Sequence, residues 1–322
     1  MDRITVAGTL PNHFNLPIWV GQEMGLFQRQ GIAVELFLHT SIDEVYARIK
    51  DGRAQIGRNS TEMVILDRER GGTQTIIAGN LNRLPFHFIV RPEIEGFGGL
   101  RGKTIGVSSL AAGSSSLIMD LLAAHGLEHP RDYRLLAMGP MVTRWEMLRS
   151  GEIDAGLQGV PFNFLALDQG YRALPLGPDG DAGPFAFTCF STDIAWGAAN
   201  RDLVERFLVA TLEAYAIIFS EDPAPDDIAH RHMAGHGFTR DYCARARRYC
   251  VEHDVFPRDG DIATPALERL IALSAEIRDL PNRAHTQADD YVDRSYLQAA
   301  RRRLPAALPR PGLHASFAPG GN

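Results

Sequence analysis

The sequence predicts an α/β protein of two lobes, and three observations carry that expectation. Its 322 residues exceed one ordinary core and suggest about two lobes at roughly 150 residues each. Short apolar runs that read as strands alternate with amphipathic helices through the first half, and the alternation restarts near Glu93. From Asn200 the pattern becomes helical.

The elements follow in order. Residues 4–8 are an apolar run closed by glycine, the pattern of a buried strand. Pro17 opens a helix through Met24, and Gly25 ends it. Residues 33–38 form a second strand. Ser41 caps the next helix, and Glu44, three residues on, completes a capping box. Residues 55–57, 73–78 and 86–90 read as strands, with a helix in RNSTEMVILDRERGG. Strand–helix alternation of this kind predicts βαβ units and a parallel arrangement covered by helices. The second set has strands at 103–107, 133–137 and 154–157, helices at 116–125 and 142–150, and an end near Phe190. Helices are then expected at 202–219, 226–234, 240–253, 265–280 and 289–303. The Pro- and Gly-rich residues 304–322 read as a disordered tail.

Composition excludes several functions. Hydrophobic residues make up 45% and charged residues 22%, ordinary for a globular chain. The formal net charge is −6 and no basic block occurs, which argues against nucleic acid as a partner. The short run Arg301 to Arg303 reads as a solvated helix end. Three widely spaced cysteines make no disulfide framework. Cys243 and Cys250 lie two helical turns apart and read as core. With no CxxC or HExxH, no metal and no cofactor are expected. No apolar run approaches the ~18 residues of a membrane helix. The start, MDRITVAGTL, lacks a charged segment followed by an apolar one. As written the chain is expected to be cytoplasmic, and periplasmic if it is a trimmed mature form.

Five segments resemble the substrate-binding proteins of the thiamine-precursor and alkanesulfonate type. They are LPIWVGQEMGLFQRQGIAVEL, IKDGRAQIG, LRGKTIGV, LRSGEIDAGLQGVP and DDYVDRSYLQAA, in that order along nearly the whole chain. The resemblance implies a two-lobed type II periplasmic-binding-protein fold, each lobe a mixed sheet flanked by helices, with the ligand cleft between lobes. Residues 1–91 would begin lobe one, 92–192 would form lobe two, and 193–303 would return to lobe one. It also implies a small-molecule ligand, a membrane permease as partner, and a monomer or weak dimer.

Ligands of open α/β sheets sit beyond the carboxyl ends of the strands. That rule selects Asn12, His13, Phe14 and Asn15 after the first strand, and Asn59, Ser60 and Thr61 after AQIG. It adds Asn80 and Asn82, then Ser108 and Ser109. Gly113, Ser114, Ser115 and Ser116 precede a helix, where hydroxyls act as caps or, with the helix amides, hold an anion. Gly159, Val160, Pro161, Phe162 and Asn163 follow DAGLQ, and Phe185 and Phe187 lie near the return crossover. The asparagines double as turn formers and the phenylalanines as hinge packing. Glu62 and Arg83 are the nearest charges in this scheme, Arg83 reading as a surface residue or a bidentate partner of a carboxylate. A mostly neutral cleft with aromatics suits a small, weakly anionic or heterocyclic solute.

Solute binding for an ABC-type uptake system is therefore the primary expectation. A cytosolic enzyme on the same fold, a decarboxylase, a hydrolase or a thiamine-pyrimidine-pathway enzyme, is the alternative. The resemblance implies for the thiamine-pyrimidine synthase a lysine that holds pyridoxal phosphate and a cysteine-rich run that carries iron. Here Asn59 stands at the lysine position, and FAFTCFSTD holds only Cys189. No G-x-S-x-G elbow supports a hydrolytic triad.

Overall fold

The computed structural model describes residues 1–9, 12–110, 112–178, 180–278 and 287–304. Ten strands are described: β1 (Asp2–Thr9), β2 (Ile32–His39), β3 (Ile56–Ser60), β4 (Gln74–Arg83), β5 (Phe86–Val90), β6 (Thr104–Val107), β7 (Arg134–Ala137), β8 (Ala155–Gly159), β9 (Arg172–Leu174) and β10 (Pro184–Asp193). Within the α/β regions lie helices α1 (Leu16–Glu23), α2 (Leu26–Arg29), α3 (Ile42–Lys50), α4 (Thr61–Glu69), α5 (Gly113–Ala124), α6 (Met141–Ser150) and α7 (Phe162–Asp168). The helical return supplies α8 (Ile194–Ala199), α9 (Arg201–Ile218), α10 (Ala224–Met233), α11 (Arg240–Glu252), α12 (Thr264–Arg278) and α13 (Ser295–Arg303). The expected tail, beyond Leu304, lies outside the described residues.

The strands form two five-stranded mixed sheets of the same pattern, β2-β1-β3-β10-β4 and β7-β6-β8-β5-β9. In each, three parallel strands are followed by one antiparallel strand and an edge strand. The antiparallel strand comes from the neighbouring stretch of chain. β5 leaves the first sheet and pairs with β8 in the second, and β10 returns to pair with β3 and β4. Residues 86–90, expected with the first set of strands, thus belong to the second sheet. β10 is not foreseen as a strand from the sequence. Its alternating small, polar and aromatic residues are buried along nearly the whole strand, with α4 and α12 packed against it and Phe190 stacked edge-on against Phe207 of α9.

Local signals hold where the chemistry is local. Ser41 Oγ accepts from the Glu44 amide at 3.2 Å, and Glu44 Oε2 accepts from the Ser41 amide at 3.2 Å. Gly25, with φ +70°, ends α1 in the left-handed region. Helix α5 starts at Gly113, so Ser114 to Ser116 stand inside its first turn. Ala112 takes the cap position, with no side-chain cap bond. The three cysteines are free and buried, and burial pushes the Cys189 and Cys243 thiols up to about 12. No described helix is long and apolar enough to cross a membrane.

The return segment is tied to the first sheet by backbone. The Gly79 amide donates to the Gly260 carbonyl at 2.9 Å, and the Ile76 amide donates to Tyr291 at 2.8 Å. A Cβ on Gly79 would fall 2.6 Å from the Asp261 carbonyl oxygen, which belongs to backbone and has little room to yield. Gly79→Ala is therefore expected to cost about 2 kcal/mol of stability by overpacking. Gly98→Ala, which would meet nothing within 4 Å, should change stability by less than about 0.5 kcal/mol. Denaturant unfolding of both variants measures the difference.

Candidate functional site

Between the two sheets lies a cavity of about 900 Å³, the open solvent at its mouth included. It sits beyond the carboxyl ends of strands from both sheets, as the topology rule expects. The first sheet contributes Thr9, Thr40 and Ser41, together with Arg58, Asn59 and Ser60 at the end of β3. The second contributes Ser108, Ser114, Met141, Val142 and Arg144. Phe14, Phe86 and Phe187 form its floor, their ring centroids 5.2 to 5.9 Å apart. Phe86 starts β5 and Phe187 lies in β10, so this aromatic cluster packs where the chain passes between sheets.

Two arginines dominate the electrostatics. Arg58 is 1% exposed and Arg144 is 3% exposed. The Arg58 Nη2 donates to Thr9 Oγ1 at 2.8 Å and lies 3.4 Å from the Thr9 carbonyl, while its Nε has no partner. Its guanidinium lies over Gly8, where a Cβ would stand 3.1 Å from Nε. Arg144, in the first turn of α6, runs over Gly106 and Gly156. A Cβ on these glycines would stand 3.2 Å from its Cγ and 3.0 Å from its Cδ, respectively. Its Nε is buried with no hydrogen-bond partner. No carboxylate pairs with either guanidinium among the described residues, and burial alone pulls each pKa down to about 10. Both stay cationic at neutral pH. The cavity wall contains no Asp, Glu, Lys or Cys among the described residues.

The residues selected from sequence divide into two groups. Asn12, Phe14, Asn59, Ser60, Ser108, Ser114, Phe162 and Phe187 line the cavity. The others stand behind it. His13 is fully buried, and neither ring nitrogen has a hydrogen-bond partner. Asn80 Nδ2 donates to Thr188 Oγ1 at 3.0 Å and to the Phe14 carbonyl at 3.3 Å, bracing the aromatic floor. Asn82 binds the Asp261 carbonyl, and Asn15 the Thr9 carbonyl. Ser115 Oγ donates to the Ser109 carbonyl at 2.6 Å, closing the turn before α5. Gly113 packs against Leu270, and Gly159 lies under Met141, whose Sδ is 3.2 Å from its amide. Phe185 is buried with the Arg269 guanidinium over its ring. Glu62 is buried and accepts from Ser274 at 2.9 Å, and Arg83 is paired with Asp181 at 3.2 Å.

Arg58 and Arg144 are absent from the sequence selection. Arg58 had a signal, a lone charge inside the strand AQIGRNS, overlooked in favour of the asparagine beside it. Arg144 had none that is local: its helix carries other charges, and the glycines that accommodate it are distant in sequence. His236 also lines the cavity, carried in by a short turn (Ala234–His236) between α10 and α11. Phe238 fixes that turn to the second sheet's side by an edge contact with Phe162, centroids 4.6 Å apart.

Two mixed sheets that exchange one strand each, with a cleft at their carboxyl ends, define the two-lobed periplasmic-binding-protein fold. The chain belongs to the NMT1/THI5-like family, whose model matches residues 11–224. It is 27% identical over 161 residues to 4-amino-5-hydroxymethyl-2-methylpyrimidine phosphate synthase THI13 of Saccharomyces cerevisiae. That match covers 48% of this chain and 46% of the yeast protein, so the chain spans about half the length of the curated relatives it matches. In structure it is similar to a protein of Bordetella bronchiseptica RB50, with a TM-score of 0.80 and 18% identity over 94% of this chain and 98% of the other. It is also similar to the alkanesulfonate-binding protein SsuA of Xanthomonas axonopodis pv. citri bound to MOPS. There the TM-score is 0.73 at 16% identity, covering 91% of this chain and 98% of the other.

His13 generates a pH prediction. Burial lowers its pKa from 6.5 to about 4; Asp226 opposes the shift and Arg247 adds to it. Between those values the unfolded chain binds the proton and the folded chain does not. Stability is therefore complete above about pH 6.5 and falls toward pH 4, by roughly 3 kcal/mol in all. His13→Phe should flatten the dependence of unfolding free energy on pH across that window. An unchanged slope would contradict the assignment.

Proposed function

We propose that the chain binds a small organic anion in the cleft by hinge closure, as the substrate-binding component of an ABC-type uptake system. One observation carries the reading: Arg58 and Arg144 are buried in the cleft wall with no carboxylate partner among the described residues. A buried charge of this kind is costly unless it is compensated, and an anionic ligand supplies the compensation. The aromatic floor and Met141 accept an apolar body. The likeness to an alkanesulfonate-binding protein supports the same class of ligand. We place the hinge at the two crossovers, between β4 and β5 and between β9 and β10, where the chain leaves one sheet and enters the other. A permease as partner follows from this reading.

The enzymatic alternative has the curated relatives in its favour and the site residues against it. Asn59 holds no amine for pyridoxal phosphate. Its Nδ2 donates to Gln74 and its Oδ1 accepts from Ser191, each at 3.3 Å. No lysine lines the cavity among the described residues, and Cys189 is a buried neutral thiol bonded to Asn59. These residues do not fit that cofactor or an iron centre.

Thermal-shift titration with alkane- and arenesulfonates and with carboxylates tests the proposal. A ligand at 100 times its Kd adds about 2.7 kcal/mol of stability. Loss of a charged hydrogen-bond donor costs about 1.5–3 kcal/mol. Arg58→Gln and Arg144→Gln should each therefore weaken binding tenfold or more, and the ligand should be recovered unchanged by mass spectrometry. Wild-type affinity in both variants, or a chemically altered ligand, would overturn it.

A further inference from the structure

We propose that the ligand of this cleft carries two anionic groups joined by an apolar body: a dicarboxylate, or a carboxylate with a sulfonate. The inference rests on the anion-binding reading above and adds the charge and shape of the ligand. Each arginine is anchored to its own sheet. Arg58 is held to the end of β1 by Thr9 and lies in the groove left by Gly8. Arg144 lies on β6 and β8 of the other sheet, in the groove left by Gly106 and Gly156. One fixed cation therefore projects from each wall. A single monovalent group cancels one positive charge and leaves the second uncompensated when the walls close. Two such groups, one per wall, balance both guanidinium charges. Between the walls the floor is Phe14, Phe86 and Phe187, which offers contact to carbon and no donor to a charge. The wall's hydroxyl and amide side chains, Ser60 and Asn12 among them, stabilise oxyanions but do not cancel either charge.

A phosphate monoester concentrates its charge on one group and is the contrasting chemistry. The test titrates matched pairs by calorimetry at fixed pH and ionic strength. The pairs are benzoate against phthalate, isophthalate and terephthalate, benzenesulfonate against 4-sulfobenzoate, and hexanoate against adipate. Phenyl phosphate provides the single-group comparison. The best two-group ligand should bind at least tenfold more tightly than its one-group parent and more tightly than phenyl phosphate. In Arg58→Gln and in Arg144→Gln that ratio should fall to about one. Arg144→Lys should keep part of it, which separates lost charge from lost structure, and circular dichroism confirms that each variant is folded. One-group ligands binding as tightly as their two-group counterparts, with affinity still lost in the arginine variants, would overturn this inference and leave the anion reading standing. Phenyl phosphate binding most tightly would have the same meaning. No binding by any of these anions would remove both.

Discussion

Burying a guanidinium without a carboxylate is the constraint around which this cleft is arranged. Among the described residues this holds for Arg58, in β3 of the first sheet, and for Arg144, on α6 against the second. Desolvation lowers both pKa values without removing either charge at neutral pH. Three glycines make the arrangement geometrically feasible. Gly8 lies beneath the first guanidinium, and Gly106 and Gly156 lie beneath the stem of the second. A methyl at any of them would press on the side chain that the cavity needs. Backbone glycines inside strands weaken those strands, and here they make room for arginine. The surface salt bridges elsewhere in the chain contribute little to this balance, since exposed pairs are worth about 0–1 kcal/mol.

The cleft's shape is held by contacts that cross between the two lobes. At the floor, Phe14, Phe86 and Phe187 join the 3₁₀ turn His13–Asn15, β5 and β10 into one aromatic cluster. To one side, α11 meets α7. Asp168 accepts from Tyr242 at 2.9 Å and pairs with Arg245 at 3.0 Å, while Arg245 lies 4.2 Å over Phe164. These α11–α7 contacts are half-exposed and modest in strength, the kind that part and re-form when one body turns against another. The floor is apolar and buried and is therefore the better pivot. In the proposed hinge closure, a ligand that bridges Arg58 and Arg144 would add its differential affinity to the closed arrangement, the condition for a binding event to drive closure.

Much of the fold was legible because its signals are short-range. The capping box at Ser41 and Glu44, the glycine stop at Gly25 and the strand–helix alternation each need only a few neighbouring residues. Sheet membership was not legible in the same way. Nothing in the residues of β5 says that it pairs with β8, 60 or more positions on, and β10 lacks the apolar alternation of a one-sided strand because both its faces are covered. The site was half legible. The strand-end rule located Asn12, Asn59, Ser60, Ser108 and Ser114 on the cavity wall. It also selected His13, Asn80 and Ser115, whose side chains stand behind the wall and fill or brace the protein. It passed over the arginines because a charged residue reads as surface unless its tertiary surroundings are known.

Ligand-free stability measured by denaturant unfolding of Arg144→Met tests the central claim most directly. Methionine follows the same path over Gly106 and Gly156 and brings no charge. Replacing buried charge by packed apolar atoms is often neutral or stabilising by roughly 1–4 kcal/mol. If Arg144 is kept for the ligand, the variant should unfold at equal or higher denaturant while losing anion binding. A loss of about 3 kcal/mol or more, the size expected when a structural buried interaction is broken, would show that the fold itself needs the guanidinium and would contradict the account.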